Sequence, residues 1–240
     1  LQEYINDLDT FALGFIEATN GVYAQSATTE LKSQVLTISS QDVLSDSAYN
    51  IKNGSFDVII YDAKGNEMLR KSVNIDGITT MEDVINYLNK NTDDNNDNNP
   101  LNDFDDYFRA YYDDDAKQFA ILPKDSSMGL NVSIEDKGSN FVGAIGVNRL
   151  LDGNNAQNIE LNIMYAKDPT LIRQHKAPVS GNFDIATMML ELQYKDSEFF
   201  PTRSKKQEMT IPKYFQFVTG KVANDTNDVK ILGDTKQSVL

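Results

Sequence analysis

The sequence contains no cysteine, no tryptophan and only one histidine, His175, among its 240 residues. Without cysteine the chain can form neither disulfides nor thiolate-based zinc sites, and one histidine leaves too few nitrogen ligands for most zinc or haem centres. No apolar run approaches the ~20 residues that a membrane-spanning helix needs. We therefore expect no metal centre, no cofactor and no membrane partner.

Basic residues are scarce as well. The chain has 22 Lys and Arg against 36 Asp and Glu, which gives a net charge of -14 and a pI near 4.4. Long-range repulsion would oppose an encounter with nucleic acid or with an anionic membrane surface, so neither is expected as a partner. A hydrophobic fraction of 40% over this length is enough to bury a core in one large domain or two modest ones.

Sequence motifs of catalysis are also missing. There is no G-x-S-x-G, no P-loop and no G-x-G-x-x-G. His175 lies among polar and turn residues, which is typical of a surface loop. Because 36 acidic residues supply neighbouring carboxylates by chance, a two-carboxylate glycosidase is the weakest alternative. We expect no catalytic residues and a protein that is not an enzyme.

The two ends of the chain carry the period of bundled helices. Apolar residues recur at alternating spacings of four and three near both ends, as in the seam of a coiled coil. Thr210 offers an N-cap for the last helix, and Pro212 suits its first turn. The predicted seam residues are Leu1, Ile5, Leu8, Phe15, Val22, Phe215, Val218, Val222, Val229 and Leu232.

Both patterns run to the limits of the sequence. We therefore interpret the chain as a piece of a longer protein in which the two end helices form an antiparallel rod. In that arrangement Phe15 is expected to lie near Phe215 or Val218. A third helix is predicted over Phe183 to Tyr194.

Between these helices the hydrophobic period changes to two. Phe56 to Ile75 predicts a hairpin that turns at Lys64-Gly65-Asn66. A helix follows with Thr79 and Glu82 as a capping box. A second hairpin is predicted over Tyr107 to Leu122, and Leu130, Val132 and Ile134 predict one more strand. The predicted class is thus α+β: a discontinuous helical rod domain at 1–25 and 147–240, and an inserted β-rich outer domain at 26–146.

The most polar stretch is Asn91 to Asp106. Its Asp residues could supply oxygen ligands for calcium, but the stretch has no central glycine, no closing glutamate and an interrupting Pro100, so it does not fit an EF-hand. A solvated, mobile loop is the better interpretation.

Helical segments at both ends, a β-rich insert between them and the lack of cysteine and tryptophan together resemble the plan of a bacterial flagellar axial protein. The stretch "LDTFALGFIEATNGVYAQ" is similar to a helix of the first hook-associated protein family, the hook–filament junction proteins. The matching positions are Leu8, Phe11, Ala12, Phe15 and Asn20. The element "GSFDVIIYD…VNIDGITTMEDVINYLN" resembles a strand–strand–helix unit of flagellins and junction proteins.

The stretch "AIGVNRLLDGNNAQNIELNIMYAKDPTLI" gives the strongest resemblance, to the segment where the family's chain leaves its outer domain. The matching positions are Gly146, Leu150, Leu151, Gly153, Ala156, Ile159, Asp168, Pro169 and Ile172. "GNFDIATMMLELQ" is similar to the family's Gly-Asp-Asn motif, except that Phe183 takes a polar position. The acidic loop has no counterpart, and the family's terminal helices that build the tube core lie outside this sequence.

This resemblance implies a structural component of the flagellum that connects hook to filament through rod-to-rod packing in a homo-oligomeric ring. It implies secretion to the extracellular flagellum. The implied partners are copies of the chain, hook protein, the next hook-associated junction protein and an export chaperone that binds through the absent termini. The alternatives are hook protein or flagellin within the same class, and a secreted calcium-dependent adhesion or carbohydrate-binding module in another.

Overall fold

A computed structural model describes residues 2–179, 181–202 and 205–238. Over these ranges the chain forms seven α-helices and four small antiparallel sheets. This confirms the expected α+β class. No helix of the described ranges combines the length and the apolar character needed to cross a membrane.

The first helix, α1 (Gln2–Tyr23), is exposed on one side near its start and enclosed over its second half. Gly14 allows close packing there, because a Cβ at this position would lie 2.5 Å from the ring of Phe199. The buried residues of α1 are Ala12, Gly14, Ile16, Glu17, Thr19, Asn20 and Tyr23. The helix therefore runs from the surface into the middle of the molecule.

The first of two three-stranded sheets contains β2 (Gly54–Tyr61), β3 (Glu67–Ile75) and β6 (Asn131–Lys137), with β2 in the centre. The predicted first hairpin is confirmed, as is the strand around Val132. Residues 56–61 of β2 are all buried, because both faces of this strand are covered. Ala27 and the partly buried Ala177 pack on the outer face, against Ile59 and Tyr61.

The second sheet pairs β1 (Leu31–Lys32) with β5 (Gln118–Pro123), and β5 with β4 (Phe108–Asp113), which confirms the second predicted hairpin. Three helices, α2 (Met81–Leu88), α3 (Phe104–Tyr107) and α4 (Phe141–Ala144), belong to the same region. The ring of Phe141 stacks on Phe56 at 4.6 Å and meets Phe119 edge-on at 5.9 Å. The two sheets thus share one core, whose buried residues run from Ala24 to Val147.

Helix α2 begins one residue later than predicted. Its capping box uses Thr80 and Asp83, not Thr79 and Glu82: Asp83 N donates to Thr80 Oγ1 at 3.1 Å, and Thr80 N donates to Asp83 Oδ2 at 2.9 Å. The reason is that Thr79 is already engaged. Its hydroxyl donates to Asp76 Oδ1 at 2.8 Å and closes the preceding turn.

The acidic stretch from Asn91 to Asp106 is anchored, which corrects the expectation of a wholly solvated loop. Lys71 lies on the inner face of β3 and donates to Lys90 O at 3.0 Å and to Thr92 Oγ1 at 2.9 Å. It also forms an ion pair with Asp94 at 3.1 Å, and the two side chains are 2% and 7% exposed. Phe104 is fully buried. The loop folds over Lys71 because a buried ammonium requires acceptors and a counter-charge.

The remainder of the chain surrounds α1. The short strands β7 (Leu151–Asp152) and β8 (Glu160–Leu161) form a hairpin, followed by α5 (Ile163–Lys167) and by α6 (Asp184–Glu191), the predicted third helix. Next comes a hairpin of β9 (Asp196–Thr202) and β10 (Lys205–Thr210), which the sequence analysis did not predict. The last element is α7 (Ile211–Ser238).

Candidate assembly surface

Helix α7 starts directly at the end of the β9–β10 hairpin. The hydroxyl of Thr210 accepts a hydrogen bond from Lys213 N at 3.4 Å, which partly satisfies the free N–H groups of the first turn. Pro212 lies in that turn, where its missing N–H costs little. The start of α7 therefore lies directly after β10, the strand that pairs with β9.

A cluster of aromatic rings joins α1 to α7. The ring of Phe11 lies 6.3 Å from that of Phe199, 6.3 Å from that of Tyr214 and 5.4 Å from that of Phe215. Phe199 and Tyr214 stack at 4.0 Å and are fully buried, and Val218 beside them is 1% exposed. Burial of these rings supplies most of the contact energy of the helix pair.

Polar contacts extend the pair toward the start of α1. Lys221 forms ion pairs with Glu3 and, at 2.9 Å, with Asp7, and these carboxylates raise the pKa of the Lys221 ammonium. The hydroxyl of Tyr4 donates to Asp225 Oδ2 at 2.5 Å. Residues later in α7 contact residues earlier in α1, so the two helices are antiparallel.

The register of this pair differs from the predicted one. Phe11, rather than Phe15, lies beside Phe215. The β9–β10 hairpin causes the offset. Because Phe199 of β9 occupies the surface of α1 at Gly14, α7 contacts α1 at residues that precede Gly14.

Beyond this contact α7 is open to solvent. Every residue from 222 to 237 is exposed. Among the large apolar side chains there, Val229 is 70% and Leu232 is 61% exposed. These apolar side chains have no cover within the described chain.

The predicted seam residues are therefore spread over both covered and uncovered surface. Val218 is buried, while Ile5, Phe15 and Val22 are partly buried. Leu1 lies outside the described residues. The exposed members are Leu8, Phe215, Val222, Val229 and Leu232.

The polar turn after Leu151 uses its own oxygens. Asn158 Oδ1 accepts from Asn154 N at 2.8 Å and from Asn155 N at 3.0 Å. Gly153 has φ of +103°, and a Cβ there would lie 2.4 Å from Asn158 O, so the turn requires glycine. The carboxamide groups of Asn154, Asn155 and Asn158 thus hydrogen-bond within the turn that closes the hairpin.

The buried Asn20 attaches this hairpin to α1. Its Oδ1 accepts from Leu150 N at 3.0 Å and from Leu151 N at 2.9 Å, and its Nδ2 donates to Leu151 O at 3.0 Å. Asn20 is 1% exposed. The Asn20 side chain thus makes the backbone hydrogen bonds that a neighbouring strand would otherwise make. These bonds fix the direction in which the chain leaves the sheets.

The acidic residues and the single histidine are the candidate metal-ligating and catalytic side chains. In the ranges that the structure describes, no group of three or more His, Asp or Glu side chains is placed to hold a metal ion. His175 lines an open depression of about 650 Å³ beside Arg173 and Gln174, and no described Asp or Glu lines it. A carboxylate that would orient the imidazole is therefore missing from that wall.

Comparisons with known proteins do not place the chain in a family. No family model matches it, and no curated protein matches it either.

Proposed function

We propose that the chain is a structural, non-enzymatic component of the bacterial flagellum. In this proposal it acts as a junction protein that connects hook to filament, secreted and assembled as a homo-oligomeric ring. The helices from the two chain ends form a rod that packs against neighbouring rods. Its neighbours are copies of itself, hook protein and the next hook-associated protein. The sequence resemblance is the starting point of the proposal.

The observation that carries the proposal is the projecting half of α7. Contacts with α1 end near Asp225, and at 1.5 Å rise per residue the helix continues for about 20 Å beyond. A helix segment of about 13 residues is marginal in water on its own. Val229 and Leu232 repeat the heptad spacing of Val218 and Val222 along this segment. A helix of this kind is stabilised when another helix covers the apolar row, which supports rod-to-rod packing.

The position of the sheets supports the same proposal. Helix α1 enters the core of the two sheets at Ala24, while the projecting end of α7 points the other way along the antiparallel pair. The sheets therefore leave the projecting helix free for neighbours. An outer domain beside an assembling rod is the arrangement that the resemblance implies.

The test is genetic and uses the full-length gene in the bacterium that carries it. Deletion is expected to leave cells with hooks but without attached filaments, and the intact gene should restore both filaments and motility. A gene with Val229→Asp and Leu232→Asp should yield secreted, folded protein but few attached filaments. Ile78→Asp is the matched control, because Ile78 is a 78% exposed apolar residue of the sheet region.

Filaments that assemble normally on hooks after deletion would refute the proposal. If deletion instead abolished calcium-dependent attachment of cells to surfaces while filaments stayed intact, the adhesion alternative would replace it.

A further inference from the structure

Glu17 is a buried carboxylate at the contact between α1 and the sheet region. It is 5% exposed. Asn50 Nδ2 lies 2.9 Å from Oε1 and 3.2 Å from Oε2 of Glu17, and Asn140 Nδ2 donates to Oε2 at 3.0 Å. Asn140 Nδ2 also donates to Asn50 O at 3.0 Å, so the two amides and the carboxylate form one network. The donors come from segments 33 and 123 residues away in the chain.

The backbones meet at this point with little room to spare. Gly143 of α4 lies against α1, and a Cβ at this position would lie 2.4 Å from Glu17 O. Main chain of one element therefore packs directly on main chain of the other. Because Glu17 itself is only 5% exposed, its ionisation depends largely on the protein groups around it.

Nearby charges do not compensate Glu17. No Lys, Arg or His of the described residues forms an ion pair with it. Lys52 lines the same cleft as Glu17, but its ammonium is bonded to Glu198. The pKa of Glu17 is raised to about 7, chiefly by burial and also by the charge of Glu198, while the hydrogen bonds from the Asn140 and Asn50 amides partly oppose this rise. The charged groups that share the adjoining cleft with Glu17 are Lys52, Asp136, Asp196 and Glu198.

We propose that Glu17, Asn50 and Asn140 form a proton-sensitive joint that holds α1 firmly to the sheet region when Glu17 is protonated and more weakly when it is ionised. The protonated carboxyl has no desolvated charge, and its O–H can donate to a carboxamide oxygen of Asn50 or Asn140 after that amide rotates. The joint is independent of the proposed flagellar function.

The sign of the pH dependence follows from the raised pKa. Glu17 has a usual pKa of 4.5 in the unfolded chain, so between pH 4.5 and about 7 the folded protein binds more protons than the unfolded protein. The joint is therefore most stable below pH 4.5 and loses this contribution as the pH rises to about 7. The equilibrium constant for opening is expected to grow by one to two orders of magnitude across this window.

Two measurements on the intact protein test the joint. Titration of the Glu17 side-chain carboxyl by carbon-13 NMR should give a midpoint well above that of exposed glutamates. Hydrogen exchange, corrected for the intrinsic effect of pH, should show about 10- to 100-fold more opening of the amides of Ala144 and Ile145 at pH 8 than at pH 5. These amides donate to Asn140 O and Phe141 O at the joint itself.

The Glu17→Gln variant keeps the shape and removes the titration. Its joint amides should show no pH dependence beyond the intrinsic rate, whereas Glu160→Gln, at an exposed position in β8, should behave like the unchanged protein. A Glu17 midpoint near 4.5, or equal pH dependence with and without Glu17, would overturn the proposal. If Glu17→Gln fails to fold, the carboxyl titration of the unchanged protein decides the question alone.

Discussion

Lys71 and Glu17 are both buried ionisable side chains, but they differ in whether an opposite charge lies beside them. Lys71 has an opposite charge, two further oxygen acceptors, and the rings of Tyr87 and Phe104 within 6.0 Å. Glu17 has only neutral amide donors. The ion pair of Lys71 with Asp94 is part of the packed structure. Loss of either residue would leave the other buried without a counter-charge. Partial compensation leaves Glu17 able to exchange its proton near neutral pH.

Replacement of Lys71 by alanine should therefore destabilise the protein strongly. It leaves the Asp94 carboxylate buried without a counter-charge, a change that typically costs about 3 to 5 kcal/mol. Urea unfolding followed by circular dichroism measures this. Lys195→Ala is the matched control, since the Lys195–Glu191 pair is exposed and should contribute about 0.5 kcal/mol or less.

The double variant Lys71→Met with Asp94→Asn separates charge from packing. It removes both charges together and should recover much of the loss. Equal losses in Lys71→Ala and Lys195→Ala would show that the Lys71–Asp94 pair is not buried in solution.

At the scale of elements, hairpins β2–β3 and β4–β5 were predictable because apolar residues alternate on both sides of short polar turns. The hairpin of β9 and β10 was not. Most residues of its strands are polar or charged, Pro201 lies within β9, and Phe199 is its single fully buried large side chain. We attribute the pairing to the contact of Phe199 with Gly14. Because Gly14 is distant in sequence, the residues around the hairpin carry no pattern that predicts it.

The surface formed by α1 and α7 was predictable only in part. Heptad spacing identified the two end helices, but it could not give their register, because the hairpin that sets the register was missed. Glu17 was missed as well. A glutamate within a helical pattern usually faces solvent, and its burial depends on Asn50 and Asn140, which only the folded chain brings together.

Phe11 is expected to be the main anchor of the helix pair, and Phe11→Ala should destabilise the contact of α1 and α7 by about 2 to 4 kcal/mol. The reason is that Phe11 contacts Phe199, Tyr214 and Phe215 at once. Thermal unfolding monitored by helix circular dichroism measures the change. Val222→Ala is the control and should cost less than about 1 kcal/mol, because Val222 is 39% exposed on α7. A cost for Phe11→Ala no larger than that of the control would contradict the described register.

Of the four hydrophobic clusters in the described residues, the core of the sheet region and the core of the helix pair differ greatly in size. The sheet region has a core that runs from Ala24 to Val147, whereas the core of the helix pair rests on Phe199, Tyr214 and Val218. Contacts that join the two regions include the amides on Glu17, the ion pair of Lys52 and Glu198, the hydrogen bond from Ala27 N to Lys176 O at 2.8 Å, and the packing of Ala177 on the outer face of β2. These contacts are mostly polar and contribute less than the cores do.

The unchanged protein is therefore expected to open in two steps. Native-state hydrogen exchange at rising urea concentration should show the α7 amides from Tyr214 to Val218 exchanging at lower urea than the amides of β2, because the helix pair has the smaller core. Phe11→Ala should lower the first opening free energy and leave that of β2 unchanged, since Phe11 does not contact the sheet core. If all amides shared one opening, and Phe11→Ala lowered it throughout, the polar joint would be strong enough to couple both cores into a single cooperative unit.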